Sequence, residues 1–506
     1  MSGALIEAGA ADPPGAPRAR MMLGRARWAA TAFATFDRER THRVVEAVAE
    51  TAYQNAERFA VAAVEETGMG VAEHKRRKNE ACSRGIAERY DVGDYVDAQV
   101  DADAKIVAIP KPAGVVLALT PSTNPIATVY FNVLLALMTR NAVVVSPHPL
   151  ARRASAEAVH LLAQAAVAAG APDGCLQVVE EPTIPLIEAL MGDRGVDVIV
   201  ATGGTAVVRA AYRSGNPALG VGPGNVPALV DATADLAKAA SCLADSKAFD
   251  NSILCTNESV AIVEERVADA FARELERHGA HVLDEEEAQR VRAALYPDGR
   301  IETALAGKDA AALASAAELR VPAGTRVLVA PFASIVPEEP LALEKLFPLL
   351  GLVRVPDAAR GIDAARALLR IGGAGHSAVI HSRDPRTVLA YGAAVGVLRV
   401  AVNAPGSTGS AGLDTNLAPT MTVGTGFFGR SALTENLQPR HLTQWTRLAY
   451  AADPSEPFGD FGGLEPWAVR PEPAPVAAPL PRADGDLTRD ELRRLILDEL
   501  RELVDH

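Results

Sequence analysis

Between residues 105 and 215, short apolar segments alternate with longer amphipathic ones, and few folds accommodate that pattern. NAVVVSP (141–147) is apolar on both strand faces through its centre. Such a run fits a parallel strand buried on two sides rather than a half-exposed antiparallel one. ARRASAEAVHLLAQAAVAAG (151–170) follows and reads as a helix that stops at Gly170. CLQVVE (175–180), IPLIEALM (184–191), VDVIVATGG (196–204) and TAVVRAAYRSG (205–215) continue as strand, helix, strand and helix. The expected fold class is therefore α/β, a doubly wound sheet with helices on both faces. KIVAIPKPAGVVLALTP (105–121) reads as a strand pair broken by proline. A second α/β block runs from about 245 to 430, with strands at SVAIVEE (259–265), RVLVAPF (326–332), FPLLGLVRV (347–355), HSAVIHS (376–382) and VLRVAVN (397–403).

The flanks differ. Residues 1–20 read as a flexible tail without the profile of a secretory signal. Residues 24–67 read as helical, with Trp28, Phe33, Phe36, Val44, Val45 and Val48 at helical spacings and a stop at Gly68. At the other end, PEPAPVAAPLPRADGD (471–486) is a proline- and alanine-rich linker. Beyond it, 487–506 reads as an amphipathic helix with a Thr488/Glu491 capping box and an apolar stripe through Leu492, Leu495, Ile496, Leu500 and Leu503.

Charge and cysteines narrow the chemistry. A formal net charge of -13 disfavours nucleic acid as a partner. The one basic run, His74 to Lys78, reads as a solvated helix face, with a phosphate-attracting patch as the alternative. Cys82, Cys175, Cys242 and Cys255 are scattered, which predicts neither a disulfide framework nor a metal site and favours a reducing, cytoplasmic location. No apolar run is long enough to span a bilayer, so no membrane role is expected. Neither common nucleotide fingerprint is present. ATGGTAVV (201–208) does place a glycine pair between a strand and a helix, an arrangement suited to an anion or merely a tight turn. Cys255 sits between a polar turn and an apolar strand, flanked by Asn251, Ser252, Thr256, Asn257 and Glu258. A lone cysteine is more often core packing, but these neighbours are unusual for a core strand.

Seven segments occur in order: LTPSTNP (119–125), SPHP (146–149), ATGG (201–204), GVGPGNVP (220–227), FDNSILC (249–255), LEKLFP (343–348) and GGAGHSA (372–378). Over residues 24–450 the chain resembles the coenzyme-A-acylating branch of the aldehyde dehydrogenases. The resemblance implies a Rossmann-like cofactor domain over 21–240, including an oligomerisation strand near 100–112. It also implies an α/β catalytic domain over 241–430 and a return and oligomerisation segment over 431–470.

It makes Cys255 the nucleophile, Asn124 the oxyanion amide, and His376 an aid to thiol exchange or an ordinary packed histidine. It makes Thr120, Pro121, Ser146, His148, Gly203, Gly204, Gly222 and Glu344 cofactor contacts. Val221 stands where hydrolytic relatives carry a water-activating glutamate, so coenzyme A is the implied acyl acceptor. NAD is the implied cofactor, with NADP as the alternative. The implied substrate is a short aldehyde such as acetaldehyde or propionaldehyde. Sulfoacetaldehyde is the runner-up, with Arg430 or Arg440 as its cation, and hydrolytic oxidation is the other alternative. Family members are homodimers or homotetramers. The tethered helix at 487–506 resembles encapsulation peptides, which implies shell or cargo partners inside a bacterial microcompartment, against the plainer reading of a solvated tail.

Overall fold

A computed structural model describes residues 13–467 and four positions beyond them (490, 493, 494 and 497). One compact unit ends at Phe461 and a second begins at Gly462. The 471–486 linker and most of 487–506 lie outside the described residues; Asp490, Arg493, Arg494 and Leu497 are helical and exposed. Among the described residues, no helix is long and apolar enough to cross a membrane.

Two parallel sheets form the first unit's frame. The five-stranded sheet runs Leu176–Val178, Ala142–Pro147, Val115–Thr120, Val198–Thr202, Ala218–Val221. All its pairings are parallel, and its two central strands through 115–120 and 142–147 are buried at every residue. Chain order reverses between Val115–Thr120 and Val198–Thr202, which opens a crevice at the carboxyl ends of those strands. The seven-stranded sheet runs Ala280–Val282, Val327–Pro331, Leu349–Val355, Glu258–Glu264, Val226–Val230, Ala378–His381, Val400–Val402, again wholly parallel.

The chain crosses from one sheet to the other between Val221 and Val226, ahead of the division expected at 240/241. The proline-broken pair also divides differently from a simple hairpin. Ile106–Pro112 joins Gln99–Asp101 and Thr443–Ala449 in a three-stranded antiparallel sheet, while Val115–Thr120 enters the parallel one. Gly114, at φ 128, makes the break, because a Cβ there would overlap the Asp197 carboxylate. That carboxylate accepts from Val115 N at 2.7 Å.

Three helices wrap the five-stranded sheet from the N-terminal side: Ala16–Phe33, Arg38–Gln54 and Ala56–Thr67. The first begins inside the segment expected to be a tail, and its Ala19 is buried. Phe33, Phe36, Val44, Val45 and Val48 enter the core as expected, but Trp28 is 64% exposed. Asp37 caps the second helix by accepting from Arg40 N.

Arg140 ties these helices to the antiparallel sheet. It is fully buried, sits at φ 58, and donates to the carbonyls of Ala34, Phe36 and Pro110. Burial lowers its pKa to about 10 without discharging it at neutral pH. Arg140→Met would strand three buried carbonyls. It should cost about 3 kcal/mol or more in a chemical denaturation curve, with little effect on residual activity below the transition.

Candidate active site

A cavity of about 580 Å³ opens at the crevice between the reversing strands. Its walls come from the carboxyl ends of four parallel strands, from the crossover at 221–223, and from the loops carrying Cys255 and Glu344. Thr120, Pro121, Asn124, Ser146, His148, Gly203, Gly204, Gly222, Cys255 and Glu344 all line it. Ten of the eleven candidate residues, far apart in the chain, thus meet in one space. Val221 is buried and also lines the cavity, so the wall at that position is apolar.

His376 is the exception. It is fully buried and does not line the cavity; Nδ1 lies 2.9 Å from Ser377 Oγ. Gly224 packs between the His376 ring and the Cys255 carbonyl, where any Cβ would overlap the carbonyl oxygen. Burial, aided by nearby Arg399, pushes His376 down to about 3, so it is a neutral imidazole at physiological pH. The sulfonate candidates are also elsewhere. Neither Arg430 nor Arg440 lines the cavity, and Arg440 is paired with Glu435.

Cys255 follows an unusual turn. Asp250, Asn251 and Ser252 have φ of 51, 50 and 63°, three successive left-handed residues without a glycine among them. Such conformations cost of order 1 kcal/mol each or more and persist only where surroundings enforce them. The enforcement is visible. The Asp250 carboxylate, fully buried, accepts from Val71 N at 2.7 Å, from Lys75 Nζ at 3.1 Å and from Lys78 Nζ. Asp250 N donates to His74 Nδ1 at 2.9 Å, and the His74 ring stacks on Phe249. Asn251 donates to the Gly307 carbonyl at 2.8 Å. Downstream, Thr256 bonds the Ser407 carbonyl and Asn257 the Ser246 carbonyl. The polar residues around Cys255 therefore lock the nucleophile loop to its neighbours.

The basic run at 74–78 is thus not a uniform solvated face. It lies in the helix Ala72–Ala81, where Lys75 and Lys78 are buried and only Arg76 and Arg77 reach outward, to Glu73, Glu80 and Asp414. Lys75, Lys78 and Asp250 are site residues the sequence reading passed over. The available signal was the i, i+3 spacing of the two lysines, which puts them on one helix face.

The electrostatics are mixed. Burial and the Glu344 charge push the Cys255 thiol up to about 12, against the opposing pull of its own N–H, Arg399 and Lys78. Glu344 is raised to about 7 by burial, although Gly224 N donates to it at 3.1 Å and Lys247 and Lys345 favour its charge. Lys345 itself donates to the Ser259, Leu341 and Leu343 carbonyls and so shapes the loop that presents Glu344.

A thiol, an amide and a carboxylate converge here beside a glycine pair and a helix N-terminus. Comparison with known proteins gives that set a family. The model of the aldehyde dehydrogenase family matches residues 14–291. The chain belongs to this family. It is 34% identical over 438 residues to the bifunctional aldehyde-alcohol dehydrogenase AdhE of Escherichia coli K12, covering 85% of this chain and 49% of that protein. The chain thus spans about half the length of the bifunctional relatives. Against the succinate-semialdehyde dehydrogenase (acetylating) of Clostridium kluyveri it is 35% identical, covering 85% of this chain and 95% of that one.

Among solved structures, an acetylating aldehyde dehydrogenase from Geobacillus thermoglucosidasius superposes with TM-score 0.84 at 35% identity, covering 86% and 97% of the two chains. A propionaldehyde dehydrogenase from Rhodopseudomonas palustris, solved with bound CoA and an acylated cysteine, superposes at 0.77 with 28% identity over 85% and 97%. The acylating aldehyde dehydrogenase resemblance and its α/β fold are borne out.

Glu344 gives a pH prediction. Its folded pKa, about 7, lies above the ordinary 4.5, so its contribution to stability is present at low pH and is lost as pH rises from 4.5 toward 7. If Glu344 holds a ribose, as the resemblance implies, the carboxylate accepts from the ribose hydroxyls more strongly than the neutral acid does. The KM for NAD should therefore rise as pH falls below about 7 in the wild type. In Glu344→Gln this step should vanish, leaving a flat and higher KM.

Proposed function

We propose that this chain converts a short aliphatic aldehyde, coenzyme A and NAD into acyl-CoA, NADH and a proton. The observation that carries the reading is the meeting of Cys255, Asn124 and Glu344 in a cavity whose wall at residue 221 is valine. The relatives named above support it, since two carry "acetylating" in their names and one structure holds CoA beside an acylated cysteine.

The cavity suits a dinucleotide on physical grounds. Gly203 and Gly204 precede the nine-residue helix Thr205–Arg213, whose first turn carries no acidic residue, so its N–H groups and positive end favour a pyrophosphate. A Cβ at Gly204 would meet nothing within 4 Å, which leaves that side open. Thr120 Oγ1 is buried in the wall with no protein partner among the described residues. Ser146, Pro147, His148 and Pro149 bring no carboxylate to the cavity, so this stretch does not select NAD over NADP; Glu188 is a carboxylate elsewhere in the lining. When bound, the nicotinamide supplies a hydride acceptor, and Glu344 would hold its ribose.

The chain's own residues do the rest. Cys255 Sγ bonds to the aldehyde carbon as its thiol proton passes to solvent, the proton of the overall reaction, and the carbonyl pair moves onto oxygen. Asn124 Nδ2 donates to that oxygen. Loss of hydride from the same carbon leaves an acyl thioester on Cys255. The coenzyme A thiol displaces it, and Cys255 departs as the leaving group, its sulfur taking up the coenzyme A thiol proton. With valine at 221, no side chain at that position activates water, so the thioester waits for a thiol, which ionises far more readily than water.

Association is inferred from surface chemistry. We infer a homodimer or homotetramer built through the three-stranded sheet, supported by exposed Val100, Leu448 and Tyr450 along it. We also propose that 487–506 docks against microcompartment shell or cargo proteins. Deleting 471–506 should leave turnover unchanged and abolish co-assembly; lost folding would reject this.

Acyl transfer makes CoA essential to turnover. Without CoA, rapid mixing should yield about one NADH per active site and then stall, whereas adding CoA restores steady turnover; equal steady rates in both conditions would select hydrolysis. Cys255→Ala should give no burst. Val221→Glu should raise CoA-independent NADH formation by roughly 10-fold or more, read against the general-base contribution of 10²–10⁴.

A further inference from the structure

We propose that Lys78 is the positioning residue of the oxyanion site: its buried ammonium fixes which way the Asn124 carboxamide faces, so that the NH₂ is what meets the developing oxyanion. The inference rests on the reading of Asn124 as the oxyanion donor. Lys78 Nζ donates to Asn124 Oδ1, and Lys78 is only 1% exposed.

An ammonium has three donors and no acceptor. Whatever face the amide turns to it must therefore be the carbonyl oxygen, and the NH₂ must point away, within the cavity wall shared with Cys255. Without Lys78 the two ends of the amide are nearly isosteric. A flipped Asn124 would aim a lone pair at the oxyanion instead of a donor. The contact to Thr123 Oγ1, at 3.3 Å, is too long to set the flip alone, because a hydroxyl serves either end.

The neighbours fit this role. Lys75 Nζ donates to the Thr123 carbonyl at 2.9 Å and to Asp250 Oδ2 at 3.1 Å, which fixes the backbone one residue before Asn124. Asp250 bonds both ammoniums and Val71 N. Two cations share one carboxylate, so the cluster carries a net positive charge when both are protonated. It sits behind the amide, opposite the NH₂, and the Lys78 charge also favours the Cys255 thiolate. His74, half-buried, is the other titratable group packed on this turn; burial lowers its pKa. Lys78 thus joins the helix Ala72–Ala81, the nucleophile turn and the oxyanion amide. No step in the mechanism above assigns it a task.

The test is a double-mutant cycle on the full-length chain with CoA saturating: Lys78→Met, Asn124→Ala and the pair. Lys78→Met should lower kcat about 10²-fold, the scale of a lost oxyanion donor, with the aldehyde KM nearly unchanged. In the Asn124→Ala background the same change should cost within about twofold. Equal fold-losses in both backgrounds, or no loss at all, would overturn the proposal. Lys78→Gln, which keeps a donor but no charge, should retain more kcat than Lys78→Met; it carries the cycle should the methionine variant fail to fold.

A second readout needs no turnover. The pH midpoint for iodoacetamide alkylation of Cys255, followed on its own peptide by mass, should move to higher pH in Lys78→Met. An unmoved midpoint would count against the charge. Absence of aldehyde-dependent NADH formation in the wild type would fail the functional reading, while the alkylation profile would still decide whether Lys78 acts on the site.

Discussion

The Asp250 carboxylate is the fixed point of this site. Taking a carboxylate and two ammoniums out of water is costly, and the cost is offset only if the groups meet one another with good geometry. Here they do, and the arrangement imposes itself on everything nearby. The left-handed turn at 250–252 holds because its side chain is anchored from a helix 170 or more residues upstream. Cys255, which follows the turn, inherits that anchoring. So does the PSTNP loop, through Lys75 to a backbone carbonyl and Lys78 to an amide. An ion cluster of this kind adds little net stability, and its effect is to select one geometry.

The sheets supply the second constraint. Reversal of strand order in the five-stranded sheet leaves a crevice at the carboxyl ends of its strands. The crossover at 222–225 leads straight from that crevice into the sheet whose 258–264 strand follows Cys255. The Gly203–Gly204 turn and Cys255 therefore line one cavity without any long loop to place them. The raised pKa of both Cys255 and Glu344 has the same first cause: burial beside this cavity disfavours charge on either group.

Much of this was legible in the chain itself. The apolar centre of 141–147 announced a doubly buried parallel strand, because only two-sided burial removes the alternation; 115–120 was legible only as half of a proline-broken pair. The ordered motifs brought together every cavity-lining candidate. His376 was harder, since a histidine next to a strand looks the same whether it faces a cavity or the back of a glycine. The lysines of 74–78 misled for a related reason. A dense basic run usually points to solvent, and nothing local reveals that an aspartate far along the chain will draw two of its members inward. The sheet break at Gly114 was hidden likewise: proline signals an interruption but does not say that the halves will enter different sheets.

Gly224 gives the crossover a further meaning. It lies against the Cys255 carbonyl while its N–H reaches Glu344, so one residue without a side chain touches both the Cys255 backbone and the Glu344 carboxyl group. Any attempt to evolve a new acyl acceptor has very little room there. Diversity introduced at 224 would push the reactive loop out of register and be lost as misassembly. The same library placed at 221–223, where Val221 and Pro223 already line the cavity and a Cβ at Gly222 would meet nothing within 4 Å, would explore acceptor chemistry while the Cys255 loop stays put.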